Sequence, residues 1–209
     1  MKHLNRLAAA AAAVTLSVGL TGCGDDGATS NAQAEQTALN GDVFNEADVA
    51  FATAMIPHHA QALVMVDLTR GRELSPEMEE LTAAIQDAQG PEIEQMVDWL
   101  TEWDEPIPET MRDHANADDH GMSGHDMGDD GAGMPGMMTE GEMSELEGEH
   151  GSEFEAMWLE MMIAHHKGAI EMAEDEQRDG IFPPARELAE AIETSQRAEI
   201  DHMNELLDS

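Results

Sequence analysis

Met55-Ile56-Pro57-His58-His59-Ala60-Gln61-Ala62-Leu63-Val64-Met65 and Met162-Ile163-Ala164-His165-His166-Lys167-Gly168-Ala169-Ile170-Glu171-Met172 are variants of one motif, 107 residues apart. The same offset, without gaps, carries Phe51 to Trp158, Pro76 to Pro183, Leu81 to Leu188, Ile85 to Ile192 and Gln89 to Gln196. It also carries Glu92 to Glu199, Ile93 to Ile200, Met96 to Met203 and Leu100 to Leu207. An ungapped match of this length points to an internal duplication.

Each copy reads as helix, loop, helix. In the first helix Phe51, Met55, Ala62 and Val66 recur at three- and four-residue steps, with Ala52, Ile56 and Leu63 beside them. Arg70-Gly71 and Ser75-Pro76 break that pattern, and Ser75 suits the N-cap of a helix whose first turn holds Pro76. Pro91 inside the second helix predicts a kink or an unpaired carbonyl, whereas the second copy has Ala198 there. Two helical hairpins cannot each bury an apolar face alone. Packed together they predict an all-α fold, a four-helix bundle with a pseudo-two-fold axis.

Around this core the chain divides into five parts. Lys2 and Arg6, followed by the short apolar run Leu7 to Leu20, read as a signal peptide over residues 1–22. Leu20-Thr21-Gly22-Cys23 resembles the bacterial lipoprotein signal, which makes Cys23 the lipidation site and places the protein on the outer face of the cell membrane. As Cys23 is the only cysteine, no internal disulfide can form. Residues 23–41 read as a flexible tether, 42–104 as the first hairpin, 105–144 as a long disordered connection and 145–209 as the second hairpin.

Charge excludes one class of function. The 209 residues carry 9 Lys and Arg against 45 Asp and Glu, a formal net charge of -36. Such a surface repels phosphate backbones, which argues against nucleic-acid binding, and attracts cations. Solubility alone is a second reason for it. Methionine is abundant at 17 residues, tyrosine is absent and aromatics are 3%.

Two constellations could carry chemistry. The first is Met55, His58, His59 and Met65 with Met162, His165, His166 and Met172. On a helix Met55 lies one turn from both histidines, and by angle His59 points to the middle of the apolar face with His58 at its edge. The partner helices add Gln89, Glu92 and Met96, and Gln196, Glu199 and Met203, of which Met96 and Met203 look central. A buried imidazole needs partners for its nitrogens, and imidazole with thioether suits copper, Cu(I) above all. The second constellation is the connection, with His114, His120, Met122, His125 and Met127 spaced by Gly and Asp. That mixture could capture Cu(I) or Cu(II).

The competing readings are a structural or interaction module with its histidines satisfied in the core, and a di-iron oxidase. A di-iron bundle wants Glu-x-x-His on two helices. Glu199-Ile200-Asp201-His202 supplies it once, and the first copy has Gln95 where the His belongs. No nucleophilic triad, phosphate loop or paired-Cys motif is present, so the chain reads as a metal binder rather than an enzyme.

Met55-Ile56-Pro57-His58-His59 with Met65, followed by Gln89-x-x-Glu92-Ile93-x-x-Met96 and Trp99-Leu100, resembles the domain of unknown function family 305. The resemblance spans about Asp42 to Leu207. It implies an exported bacterial protein, often a lipoprotein, with a ferritin-like bundle and a link to periplasmic copper binding and tolerance. Ala164 in place of Pro57, and Leu206 in place of Trp99, depart from the pattern without removing a candidate ligand. No protein partner follows from the sequence.

Overall fold

The first helix starts where Asn45 can cap it. The Asn45 side chain accepts from the backbone N–H groups of Ala47 and Asp48, and the Asp48 carboxylate accepts from the Asn45 N–H. This reciprocal box satisfies donors that a helix start leaves open. The computed structural model of the chain describes residues 34–111 and 133–209. Among them, α1 spans Glu46–Asp67, α2 Pro76–Glu102, α3 Glu140–Gly148, α4 Gly151–Asp179 and α5 Pro183–Leu207. Strands β1, Gln36–Thr37, and β2, Val43–Phe44, pair antiparallel with Gln36 opposite Phe44. The fold class is therefore all-α.

Helix α2 starts as its sequence requires, with Ser75 accepting from the Met78 N–H and Pro76 in the first turn. It runs through Pro91, which has no N–H to give the exposed Asp87 carbonyl. Helix α1 packs against both α2 and α4, α4 packs against α5, and α2 touches α5 more lightly. The α1 and α4 axes are antiparallel. His58 meets His165, while Trp158, seven residues earlier in α4, donates its indole N–H to the Met65 carbonyl, seven residues later in α1, at 2.9 Å. Apolar enough by length and composition to cross a membrane, α1 is mostly buried here, as a helix covered on two sides must be.

The apolar interior is divided in two. One core joins Phe51, Met55, Met96 and Trp99 to Ala185, Leu188 and Ile192. The other joins Trp158, Met162 and Met203 to Met78, Leu81 and Ile85. Each core takes the start of the first helix of one hairpin and the start of the second helix of the other, with the later part of the remaining first helix between them. The 107-residue offset exchanges them, Phe51 with Trp158 and Met55 with Met162.

Two carboxylates cross-link the halves in the same exchanged fashion. Asp48 in α1 accepts from the backbone N–H groups of Ile181 and Phe182, at 3.0 and 2.9 Å, just before α5. Glu155 in α4 accepts from the Ser75 N–H at 2.8 Å, just before α2, and from its hydroxyl at 3.0 Å. Offset by 107, Asp48 becomes Glu155 and Ser75 becomes Phe182.

Two expected boundaries move. The tether expected over residues 23–41 is ordered from its last part onward, because residues 36–44 form the hairpin. Its turn is closed by the Gly41 N–H on the Ala38 carbonyl, and Gly41 has φ +97, which suits a residue without Cβ. Phe44 then stacks on Trp103 at 4.4 Å between ring centroids, anchoring the hairpin to the end of α2. The disordered connection expected over 105–144 is also too long, since residues 133–139 pack on the helices and α3 begins at Glu140. Thr139 caps α3 with Glu142 in a second reciprocal box, and Met143 and Leu146 bury its apolar side. The signal peptide expected over residues 1–22 and the expected lipidation site Cys23 lie outside the described residues.

Candidate metal centre

Adjacent residues on an α-helix point about 100° apart, so neighbouring histidines are both buried only where the helix is covered on two sides. That is the position of α1 between α2 and α4. His59 faces α2, where its Nε2 lies 2.8 Å from Glu92 Oε2, and His58 faces α4, where its ring lies 3.8 Å from that of His165, centroid to centroid. The second half repeats the arrangement: His166 Nε2 lies 2.5 Å from Glu199 Oε2 on α5, and His165 faces α1. All four histidines have no exposed surface. The expected edge position of His58 is thus replaced by one at the centre of the α1–α4 interface.

These imidazoles are incompletely satisfied. His58 Nε2 is 3.1 Å from the Pro135 carbonyl, but His58 Nδ1, His59 Nδ1, His166 Nδ1 and both ring nitrogens of His165 are buried without a hydrogen-bond partner. Gln89, beside Glu92, leaves both amide atoms unpaired, and Gln196 leaves its oxygen unpaired. A buried polar atom left unpaired costs about 1–3 kcal/mol, so a layer holding several of them is costly unless a ligand completes it. Burial, with His59 next in effect, pushes His58 down to about 3. Burial first and His58 second hold His165 well below the ordinary imidazole range. Both are therefore neutral at physiological pH, the state in which imidazole binds metal.

Methionine flanks this layer. Met55 and Met96 lie in the first core, Met65, Met162 and Met203 in the second, all fully buried, and Met172 is half-buried against the first core. Met55 and Met162 are one turn from their His pairs. Met65 and Met172 lie seven residues beyond His58 and His165, about 10 Å along the axis. The structure therefore gathers the four histidines and distributes the sulfurs to either side. Among the described residues no three His, Cys, Asp or Glu side chains form a metal-holding group by themselves. A coordination sphere that adds thioether sulfur to these imidazoles would suit a soft ion such as Cu(I).

Sequence reasoning missed the strap of residues 133–138 over this layer. Besides the Pro135 carbonyl on His58, Gln61 clamps Met138 from both sides, accepting from its N–H at 2.7 Å and donating to its carbonyl at 2.8 Å. Gln61 Nε2 also reaches Met111 Sδ at 3.7 Å. Met111 and the strap flank residues 112–132, so both flanks of that segment return to Gln61. His114, His120, Met122, His125 and Met127 lie within it, outside the described residues. The repeat held one clue: Gly168 stands where the first half has Gln61, and a Cβ there would fall 1.8 Å from the Pro135 oxygen. A second missed feature is Glu176, 2% exposed, whose carboxyl is pushed up to about 9 by burial first and by the neighbouring Asp48 second.

The model of a domain of unknown function, DUF305, matches residues 48–207. A presumed secreted DUF305 protein from Streptomyces coelicolor is similar in structure, with a TM-score of 0.64 and 31% identity over 78% of this chain and 92% of that one. A DUF305 fragment from Deinococcus radiodurans gives 0.65 and 27% over 83% and 99%. CopM in its Cu(II)-bound form gives 0.59 and 26% over 77% and 95%, and in its Cu(I)-bound form 0.58 and 25% over the same shares. Curated proteins contain no match to the chain.

Proposed function

The chain belongs to the DUF305 family, and on that premise we propose that it is an exported copper-binding protein that sequesters copper or hands it on. The observation that carries this reading is the layer of four buried histidines, whose unpaired ring nitrogens are flanked by fully buried methionines. His58, His59, His165 and His166 supply nitrogen, and Met55, Met96, Met162 and Met203 supply sulfur. Met65 and Met172 extend the sulfur supply along the cores. The similarity to CopM, whose structures hold Cu(I) and Cu(II), supports copper as the metal. We read the four long helices as a ferritin-like four-helix bundle built by duplication, an interpretation that the exchanged cores and the exchanged carboxylate clamps support.

Export and anchoring follow from Lys2, Arg6, the Leu7 to Leu20 run and Cys23, and the likeness to a presumed secreted protein agrees with export. The connection's His114, His120, Met122, His125 and Met127 act in this reading as a capture arm feeding the bundle. The protein binds and does not turn over substrate. A di-iron oxidase is disfavoured by His202, whose side chain is 45% exposed and so cannot join Glu199 in an interior site. The purely structural reading is disfavoured by the unpaired nitrogens.

Anaerobic Cu(I) titration against a competing chelator tests the proposal. Tight binding by the full chain, lost when His58, His59, His165 and His166 are all replaced by Ala with helicity kept, is the expected result. Wild-type binding no tighter than that of the variant overturns it.

A further inference from the structure

His59 and His166 are each held by one carboxylate, 33 residues further along the chain. Glu92 and Glu199 keep part of their side chains in solvent, 18% and 19%, while the imidazoles they hold have none. A carboxylate oxygen accepts hydrogen bonds, so the ring nitrogen it faces carries the proton. In a neutral imidazole the other nitrogen then carries a lone pair. On both rings that other nitrogen, Nδ1, is buried and unpartnered. His58 follows the same rule by a different route, because the Pro135 carbonyl also only accepts and faces Nε2, leaving Nδ1 as the unpaired base. His165 departs from it, with neither nitrogen facing a carboxylate or the strap.

We propose that Glu92 and Glu199 are positioning residues that fix the Nε2–H tautomer of His59 and His166, so that Nδ1 is the atom these histidines offer to copper. This inference rests on the copper reading above and names the ligating atom and what selects it. The carboxylate does not touch the metal. It locks ring orientation and raises the basicity of the opposite nitrogen, and losing such a partner commonly weakens metal binding 10–100-fold.

The test uses the full chain, 15N-labelled at histidine, with Cu(I) alone as the probe. Before copper is added, long-range nitrogen–proton NMR spectra are expected to show protonated Nε2 and bare Nδ1 at His58, His59 and His166. Copper is then expected to shift the Nδ1 resonances of His59 and His166. In the Glu92→Gln/Glu199→Gln double variant the amide can donate as well as accept, so those two rings are expected to lose the fixed tautomer and Cu(I) to bind 10–100-fold more weakly, with helicity unchanged. A purely structural role for the two glutamates leaves the tautomers where they were. Copper shifts at Nε2 of His59 and His166, or wild-type affinity in the double variant, overturn this inference alone. A wild-type chain that takes up no Cu(I) overturns the copper reading and this inference with it.

Discussion

His58 and His165, counterparts across the 107-residue offset, face each other with ring centroids 3.8 Å apart and planes tilted by 37°. Burial keeps both rings neutral, so they approach without charge repulsion, and three of their four nitrogens make no hydrogen bond.

This placement predicts a conflict between stability and binding at His165. Replacing it with Leu removes two unpaired buried nitrogens and keeps an apolar side chain of similar bulk. Without metal, the H165L variant is expected to be more stable than the wild type by about 1–3 kcal/mol in urea denaturation. Its Cu(I) affinity is expected to fall. A clear loss of stability in the metal-free variant would mean that the histidine is a satisfied structural residue.

Acid should weaken the fold through the same layer. The folded state holds His58 down at about 3 and His165 well below its usual range, whereas the unfolded chain titrates near 6.5. As pH falls below 6.5 the unfolded state takes up protons that the folded state refuses, so stability is full above 6.5 and declines toward 3. Denaturation midpoints measured from pH 7.5 down to 4 check the slope, and the H58L/H165L variant is expected to flatten it.

Glu176 works in the opposite direction. Its folded carboxyl is raised to about 9, from 4.5 in the unfolded chain. Its contribution is fully present below 4.5 and is lost as pH rises toward 9, by at most about 1.4 kcal/mol per pH unit. Glu176→Gln keeps the shape and removes the titration. The variant is expected to exceed the wild type in stability at pH 8 and to match it at pH 4.5, and equal curves at both pH values would remove Glu176 from the account.

The strap can be tested at Gly168. Gly168→Gln places there the residue that the first half has as Gln61, and its Cβ meets the Pro135 carbonyl. The strap is expected to lift, freeing His58 Nε2, with a stability cost of about 1–3 kcal/mol. Hydrogen exchange of residues 136–138 reads this directly and should quicken in the variant. Unchanged protection would show that the strap is held elsewhere.

Much of this architecture was legible in the sequence. The gapless repeat, the helical spacing of Phe51, Met55 and Val66, and the Ser75-Pro76 start carried the helices, because local periodicity and capping act over a few residues. The His-His pairs were legible as residues of a helix face for the same reason, and the structure buries all four of them. What escaped depends on distant parts of the chain. His58 looked peripheral because a single helix face cannot show that α1 is covered from two sides. Residues 133–138 resembled spacer, since Gly, Met and Pro have no periodicity to read. Glu176 was hidden among 45 acidic residues, where only burial beside Asp48 sets it apart. The hairpin before Asp42 was missed because two-residue strands leave no alternation, and Phe44 on Trp103 is a contact across 59 positions.

The crossed grip of Asp48 on Phe182 and of Glu155 on Ser75 has a consequence for assembly. Each half's hairpin turn is gripped by a carboxylate of the other half, so the two halves complete each other at both turns. The peptide connecting them then acts chiefly by raising the effective concentration of one half around the other. A chain severed between its halves should reassemble from the two fragments, and crowded intact chains could exchange halves to form a domain-swapped dimer with the same histidine layer at each centre.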